Sequence, residues 1–215
     1  MTLRLARYGA GEVLLFSAVV AVAAVLATVY FVPALPVVLG LWALVLYFFR
    51  DPKRLVPQGE DLLVAPADGK VVRVERIRTP GEDRAFWQVD IFLSIFDVHI
   101  NRAPCRGTVE SLAYRRGKFL NALRAEAGER NESNEVSLRT PLGVPVRVRQ
   151  IAGAIARRIV CDCRVGDRLL AGEPFGMIKF GSRTQLTVPE DAVASLAVGV
   201  GQRVRAGQTI IGKLR

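Results

Sequence analysis

Hydrophobic positions follow two regimes along this chain. Residues 13–49 contain no charged side chain, whereas from Arg50 onward short apolar runs alternate with Arg, Asp, Glu and Gly. Residues 13–32 form an unbroken uncharged stretch; as a helix it would span about 30 Å, the thickness of a hydrocarbon core. Pro33 and Pro36 interrupt it, and residues 37–49 resume the apolar pattern. The pattern predicts a membrane-anchoring helical hairpin over residues 1–49, either crossing twice or dipping in and returning. Both forms put the two flanks on one side. Arg4 and Arg7 precede the hairpin and Arg50, Lys53 and Arg54 follow it, so the positive-inside rule places both flanks at the cytoplasmic face of the cell membrane. A cleaved signal peptide fits less well, because the first run is too long and a second follows at once.

Residues 50–215 read as one mainly β domain. Two pairs of internal repeats stand out. Ala65-Pro66-Ala67-Asp68-Gly69-Lys70-Val71 resembles Ala103-Pro104-Cys105-Arg106-Gly107-Thr108-Val109, and the Val165–Gly172 stretch resembles Val200–Gly207. Each unit places a glycine-containing turn beside short β-branched runs, the pattern of strands joined by tight turns. The two types resemble the hairpins of lipoyl- and biotinyl-carrier domains, which predicts a duplicated sandwich or barrel. Residues 89–95, 186–188 and 193–198 are further apolar runs. Residues 118–129 carry Phe119, Leu120, Leu123 and Ala127 close to helical spacing and predict one short helix.

The net charge of +10 suits an anionic partner. Beside the apolar hairpin this points to an anionic phospholipid surface, while aromatic residues interleaved with basic ones, as nucleic-acid binding requires, are absent from the sequence. Cys105, Cys161 and Cys163 form no disulfide framework, and with a single histidine they give no four-ligand metal site.

The single histidine, His99, follows a strong strand and sits near Asp97 and Arg102 in Asp97-Val98-His99-Ile100-Asn101-Arg102. Polar clusters at strand ends often form sites. Asp68 is a turn residue by default. Gly181-Ser182 after an apolar strand lacks the G-x-S-x-G of a nucleophile elbow. Lys179 invites an alternative, a membrane-tethered biotinyl-like carrier, although the flanking residues depart from a biotinyl signature. A non-catalytic lipid-binding relative is another alternative.

Taken in order, Phe48-Phe49-Arg50-Asp51-Pro52, Ala65-Pro66-Ala67-Asp68-Gly69, Asp97-Val98-His99, Gly117-Lys118-Phe119-Leu120-Asn121-Ala122, Asn131-Glu132 and Phe180-Gly181-Ser182 resemble the short form of the phosphatidylserine decarboxylase family. The resemblance implies a proenzyme that breaks its own Gly181–Ser182 bond, giving chains of residues 1–181 and 182–215 that stay tightly associated. It further implies that Ser182 becomes a covalent pyruvoyl group, which forms a Schiff base with the serine amine of phosphatidylserine. Carbon dioxide then leaves and phosphatidylethanolamine is released, without pyridoxal phosphate or a metal. Longer members use an Asp, a His and the cleavage-site Ser for self-cleavage. Asp68 and Ser182 match two of these, His99 matches the first histidine of the family's D-x-H-x-x-H stretch, and Arg102 stands where the triad histidine would be. His99 therefore serves both steps, or cleavage proceeds without a histidine. Arg183, Arg102, Asn131 and Glu132 are expected at the substrate, Arg183 by pairing with a phosphate or carboxylate.

Overall fold

A computed structural model describes residues 4–78, 81–154, 158–179 and 181–215. The chain divides into two compact units, Met1–Lys53 and Arg54–Arg215.

In the first unit α1 (Ala10–Tyr30) and α2 (Leu35–Phe48) pack as a hairpin. Pro33 lies in the connecting turn and Pro36 in the first turn of α2, where a missing N–H leaves no bond unmade. Trp42 Nε1 donates to Ser17 Oγ across the hairpin (3.0 Å). At the open end Ala6 N–H donates to Phe49 O and Asp51 N–H to Arg4 O (both 2.7 Å), so entry and exit lie side by side. Outward positions such as Leu14, Val22, Val29 and Val37 are exposed apolar side chains, which suits a lipid surround. The apolar helix through residues 7–30 has the length and hydropathy of a membrane span. At about 21 Å, α2 is shorter than a hydrocarbon core.

The second unit is β-rich. Its strands in chain order are β1 (Leu62–Val64), β2 (Gly69–Arg78), β3 (Ala85–Leu93), β4 (Ile100–Arg102), β5 (Gly107–Arg115), then a one-turn helix α3 (Ala127–Arg130). Next come β6 (Ser133–Arg139), β7 (Pro145–Ile151), β8 (Arg158–Cys161), β9 (Arg168–Leu169) and β10 (Pro174–Lys179). The last four are β11 (Ser182–Pro189), β12 (Val193–Leu196), β13 (Arg203–Val204) and β14 (Ile210–Leu214). All pairings are antiparallel. The main sheet, in order β13-β2-β3-β11-β7-β6-β5-β9, curls into a half-barrel. Two three-stranded sheets, β1-β14-β12 and β4-β10-β8, accompany it.

The expected duplication is present, and these orders show how it is arranged. The main sheet is a palindrome: β13 answers to β9, β2 to β5, β3 to β6, and β11 to β7. The small sheets match strand for strand. Backbone bonds repeat as well. Val71 N–H donates to Gln202 O (2.9 Å) and Gly201 N–H to Val71 O (2.8 Å). In the other half Val109 N–H donates to Asp167 O (2.9 Å) and Gly166 N–H to Val109 O (2.8 Å). Val64 N–H to Pro104 O (2.7 Å) and Arg102 N–H to Pro66 O (2.9 Å) bond across the pseudo-twofold relation. One repeat, β4 to β10, is thus inserted whole into the other. The chain crosses between repeats twice, at residues 94–99 and between β10 and β11.

Alternation builds the core. Val146 and Val148 of β7, Leu186 and Val188 of β11, and Val89 and Ile91 of β3 belong to one buried cluster with Leu63, Phe175 and Ile211. The expected helix over residues 118–129 is corrected to the single turn α3. Asn131 Oδ1 accepts from Leu120 N–H (2.9 Å) and its Nδ2 donates to Leu120 O (2.8 Å), while Lys118 bonds backbone to backbone with Arg130 and Glu132. Those backbone groups are satisfied across a loop instead of along a helix.

Candidate functional site

The two crossovers meet. Asp97 shapes the first: its Oδ2 accepts from Ser94 N–H (2.8 Å) and Ser94 Oγ (2.7 Å). This tight turn swings His99 into the interior, fully buried. His99 Nδ1 lies 2.9 Å from Asp97 O, and Gly181 N–H points at His99 Nε2 (3.3 Å). Both contacts are hydrogen bonds only if Nδ1 carries the proton and Nε2 presents its lone pair.

At the second crossover Gly181 has φ +63°, the left-handed region that glycine enters without a Cβ penalty. Phe180 lies outside the described residues. Ser182 opens β11 opposite Leu93 and is fully buried. Its Oγ has no hydrogen-bond partner among the described residues. Leaving a buried hydroxyl unpaired costs about 1–3 kcal/mol, so the group asks for a functional explanation. The Gly181 carbonyl oxygen lies against Gly153, so closely that a Cβ there would stand on it, and Ala122 Cβ completes the wall.

The other expected residues divide into groups. Asp68 is not hydrogen-bonded to Ser182. Its Oδ2 pairs with Arg54 Nη2 and its Oδ1 accepts from Ala206 N–H (2.7 Å each). Burial raises its carboxyl above the usual range, although Arg54 and the Ala206 N–H pull the other way. Arg102 Nη1 donates to Gly172 O (3.0 Å), and its Cδ faces Gly207, next to Ala206. Asp68, Arg54 and Arg102 thus gather at the 206–207 turn.

Asn131, expected at the substrate, bridges three backbone segments. Both of its amide hydrogens are spent, on Leu120 O and Ala152 O (2.8 Å each). Through Ala152 it fixes the neighbouring Gly153. Glu132 is half-buried and faces Tyr114, while its backbone bonds to Lys118 and Ala152.

Arg183 leaves β11 on the face opposite Ser182 and is 2% exposed. Its Nη1 is 3.4 Å from Asp90 Oδ2, while Nε and Nη2 have no hydrogen-bond partner among the described residues. Burial lowers its pKa, Asp90 raises it, and Arg73 lowers it further. Burial likewise lowers that of Arg149, with Arg115 and Arg183 adding to the effect. Helix α3 covers this face: Arg115 Nη2 donates to Gly128 O (3.1 Å), and a Cβ on Gly128 would approach Arg183 Nη2. Cations in excess of Asp90 on a covered face can hold an anion.

Several contributors escaped the sequence reading. Gly153 had no local cue beyond a glycine at a strand end. On the Ser182 side of β11, Asn101 Nδ2 donates to Thr184 Oγ1 (2.9 Å), Gln150 Nε2 to Asn101 Oδ1 (2.9 Å), and Asn134 Nδ2 to Gln150 Oε1 (3.3 Å). Lys179 lies within β10 and is 5% exposed, unlike a carrier lysine, which has to swing through solvent.

Known proteins are similar to this chain in sequence. The family model for phosphatidylserine decarboxylase matches residues 41–212. The phosphatidylserine decarboxylase proenzyme of Rhodopirellula baltica is 46% identical over 210 residues, 96% of this chain and 87% of that protein. That of Granulibacter bethesdensis is 50% identical over 173 residues, 79% and 70% of the two chains. That of Gluconobacter oxydans is 48% identical over 176 residues, 80% and 77%. With identity at this level along nearly its whole length, the chain belongs to the phosphatidylserine decarboxylase family.

Proposed function

We propose that this protein decarboxylates phosphatidylserine to phosphatidylethanolamine and carbon dioxide after cutting itself between Gly181 and Ser182. The observation that carries the proposal is the buried Ser182 Oγ, without a hydrogen-bond partner among the described residues, beside a left-handed Gly181 whose N–H rests on the lone pair of His99.

Cleavage needs a base, a nucleophile and an unhindered carbonyl. His99 Nε2, which accepts from Gly181 N–H at 3.3 Å, serves as the base that takes the Ser182 Oγ proton. Ser182 Oγ attacks the Gly181 carbonyl carbon, the C–N bond breaks, and an ester joins Gly181 to the side chain while the Ser182 nitrogen becomes a free amine. Loss of the Cα proton and the Cβ–Oγ bond leaves Gly181 as a carboxylate and residue 182 as dehydroalanine. Its imine tautomer takes up water and loses ammonia. Gly153 and Ala122, small and close-packed, hold the carbonyl in place throughout. Asp68, committed to Arg54 and Ala206, acts as a positioning residue in this scheme.

The residues fit the resulting pyruvoyl group, since Ser182 supplies all its carbons at a dry strand end. That group supplies the electron sink that loss of carbon dioxide from an amino acid requires. His99 delivers a proton to the site of the departed carboxylate. Once the bond is cut, residue 182 is a free strand end around which both faces of β11 are reached, and Arg183 holds the phosphate or carboxylate of the lipid. The two chains stay together because β11 lies between β3 and β7, β13 pairs with β2, and β14 pairs with β1. The apolar hairpin anchors the protein, with the catalytic domain on the cytoplasmic side.

The test is release of carbon dioxide from carboxyl-labelled phosphatidylserine in detergent micelles. Wild type turns over and loses activity on treatment with cyanoborohydride and amine, which captures a ketone. Ser182→Ala stays one chain and releases nothing. Turnover by Ser182→Ala would refute the proposal.

A further inference from the structure

Cys161 ends β8, and Cys163 lies two residues on. Side chains so spaced along an extended stretch leave the backbone on the same side, and here the two Sγ atoms are 3.4 Å apart. The stretch is pinned: Cys161 pairs with Gly176 of β10, and Asp162 N–H donates to Phe175 O (2.8 Å). Cys161 is half-buried and Cys163 is sealed into the core. The hydrogen bond from Cys163 lowers the Cys161 thiol to a pKa of about 6, against burial and the charge of Asp162, with Asn134 assisting. Cys163 is pushed up by giving that bond, by burial and by the charge on Cys161. A half-buried thiol with a lowered pKa in contact with one sealed into the core is the arrangement of an attacking and a resolving cysteine. Cys105, buried and pushed up to about 12, is the opposite case. Neither self-cleavage nor decarboxylation uses the pair.

We infer that Cys161 and Cys163 form a peroxide-reactive dithiol that closes to a disulfide within one chain. Cys161 Sγ attacks one oxygen of a hydroperoxide and breaks the O–O bond. The other oxygen leaves with a proton as water or an alcohol, and Cys161 becomes a sulfenic acid. Cys163 Sγ then attacks the Cys161 sulfur. The S–S bond forms, the S–O bond breaks, and the hydroxyl leaves with the Cys163 proton as water. The two thiols lose two electrons and two protons; the peroxide gains them. Closure needs the sulfurs to approach by about 1.4 Å, from 3.4 Å to a disulfide length.

The experiment uses full-length, detergent-solubilised protein, reduced and then freed of reductant. Dilute hydrogen peroxide is added, followed by iodoacetamide and trypsin, which releases residues 159–164 with both cysteines. That peptide should refuse alkylation and weigh two hydrogens less, while the Cys105 peptide stays reduced. Cys163→Ser should stop at a sulfenic acid that dimedone labels, and Cys161→Ser should take no label. Alkylation of Cys161 at pH 7 should slow by roughly tenfold or more in Cys163→Ala, because the hydrogen bond that holds the thiolate is gone. A 159–164 peptide still fully alkylated after peroxide would overturn the inference, as would equal dimedone labelling of the two serine variants.

Discussion

Replacing Gly153 by alanine tests whether the placement of the scissile carbonyl controls self-cleavage. A Cβ at position 153 would fall on the Gly181 carbonyl oxygen and touch Gly181 C at 3.0 Å, with Ala122 Cβ at 3.5 Å behind it. The clash is with backbone on both sides, so no flexible side chain can move away. Gly153 is held through Ala152, whose N–H donates to Glu132 O (2.9 Å) and whose carbonyl accepts from Asn131. The Gly181 crossover therefore has to yield, by roughly 1 Å or more, and a misplacement of that size costs on the order of 10²-fold in rate. That corresponds to about 2.7 kcal/mol on the barrier. The assay follows the conversion of full-length chain to two chains on a denaturing gel after a pulse of synthesis. Gly199→Ala is the control, since a Cβ there meets nothing within 4 Å. Gly153→Ala should accumulate folded precursor while Gly199→Ala processes normally. Processing of Gly153→Ala at the wild-type rate would refute the placement argument.

Three further outcomes follow from the geometry. His99→Gln retains an acceptor for the Gly181 N–H but exchanges no proton, so it should fold as precursor and process roughly 10²–10⁴-fold more slowly; wild-type processing in a pulse-chase would remove His99 as base. In the uncleaved Ser182→Ala background, Asp68→Ala and Arg54→Met should each cost about 3–5 kcal/mol, because each strands a buried charge, and the double variant should cost less than their sum. Strict additivity in thermal unfolding would contradict the pairing. Burial raises the Asp90 carboxyl above the ordinary 3.8, with Arg183 and Gln185 opposing. A group with a raised folded pKa stabilises fully below its unfolded value and loses that contribution as pH rises through the folded one. The stability of wild type relative to Asp90→Asn should therefore fall as pH rises above about 3.8; a rising difference would reverse the assignment.

Local pattern made the hairpin, the β-rich domain and the duplicated turns legible. The glycines and β-branched runs of residues 65–71 and 103–109 carry their own turn and strand chemistry, and each pairs with its partner turn at 200–207 or 165–172. The nesting of one repeat inside the other was not legible, because it depends on which distant strand β11 and β7 choose. Residues 118–129 misled through an apolar stripe; the polar groups that decide that backbone belong to Asn131, beyond the stripe. Ser182, Gly181 and His99 were readable as candidates. Gly153 and the Asn101–Gln150–Thr184 chain were not, since alternating polar residues on strands look like a solvated face until a second layer buries them. Asp68 was readable, but its partner Arg54 was expected only as part of a basic flank.

Intact mass of the purified wild-type protein, with fragmentation of the smaller chain, tests the central claim most directly. Two chains are expected. The larger should end in a free Gly181 carboxylate, and the smaller should begin at residue 182, resist Edman degradation and weigh one ammonia less than a fragment starting with serine. A protein that decarboxylates phosphatidylserine while its Gly181–Ser182 bond is whole, or a smaller chain starting with an unmodified serine, would contradict it.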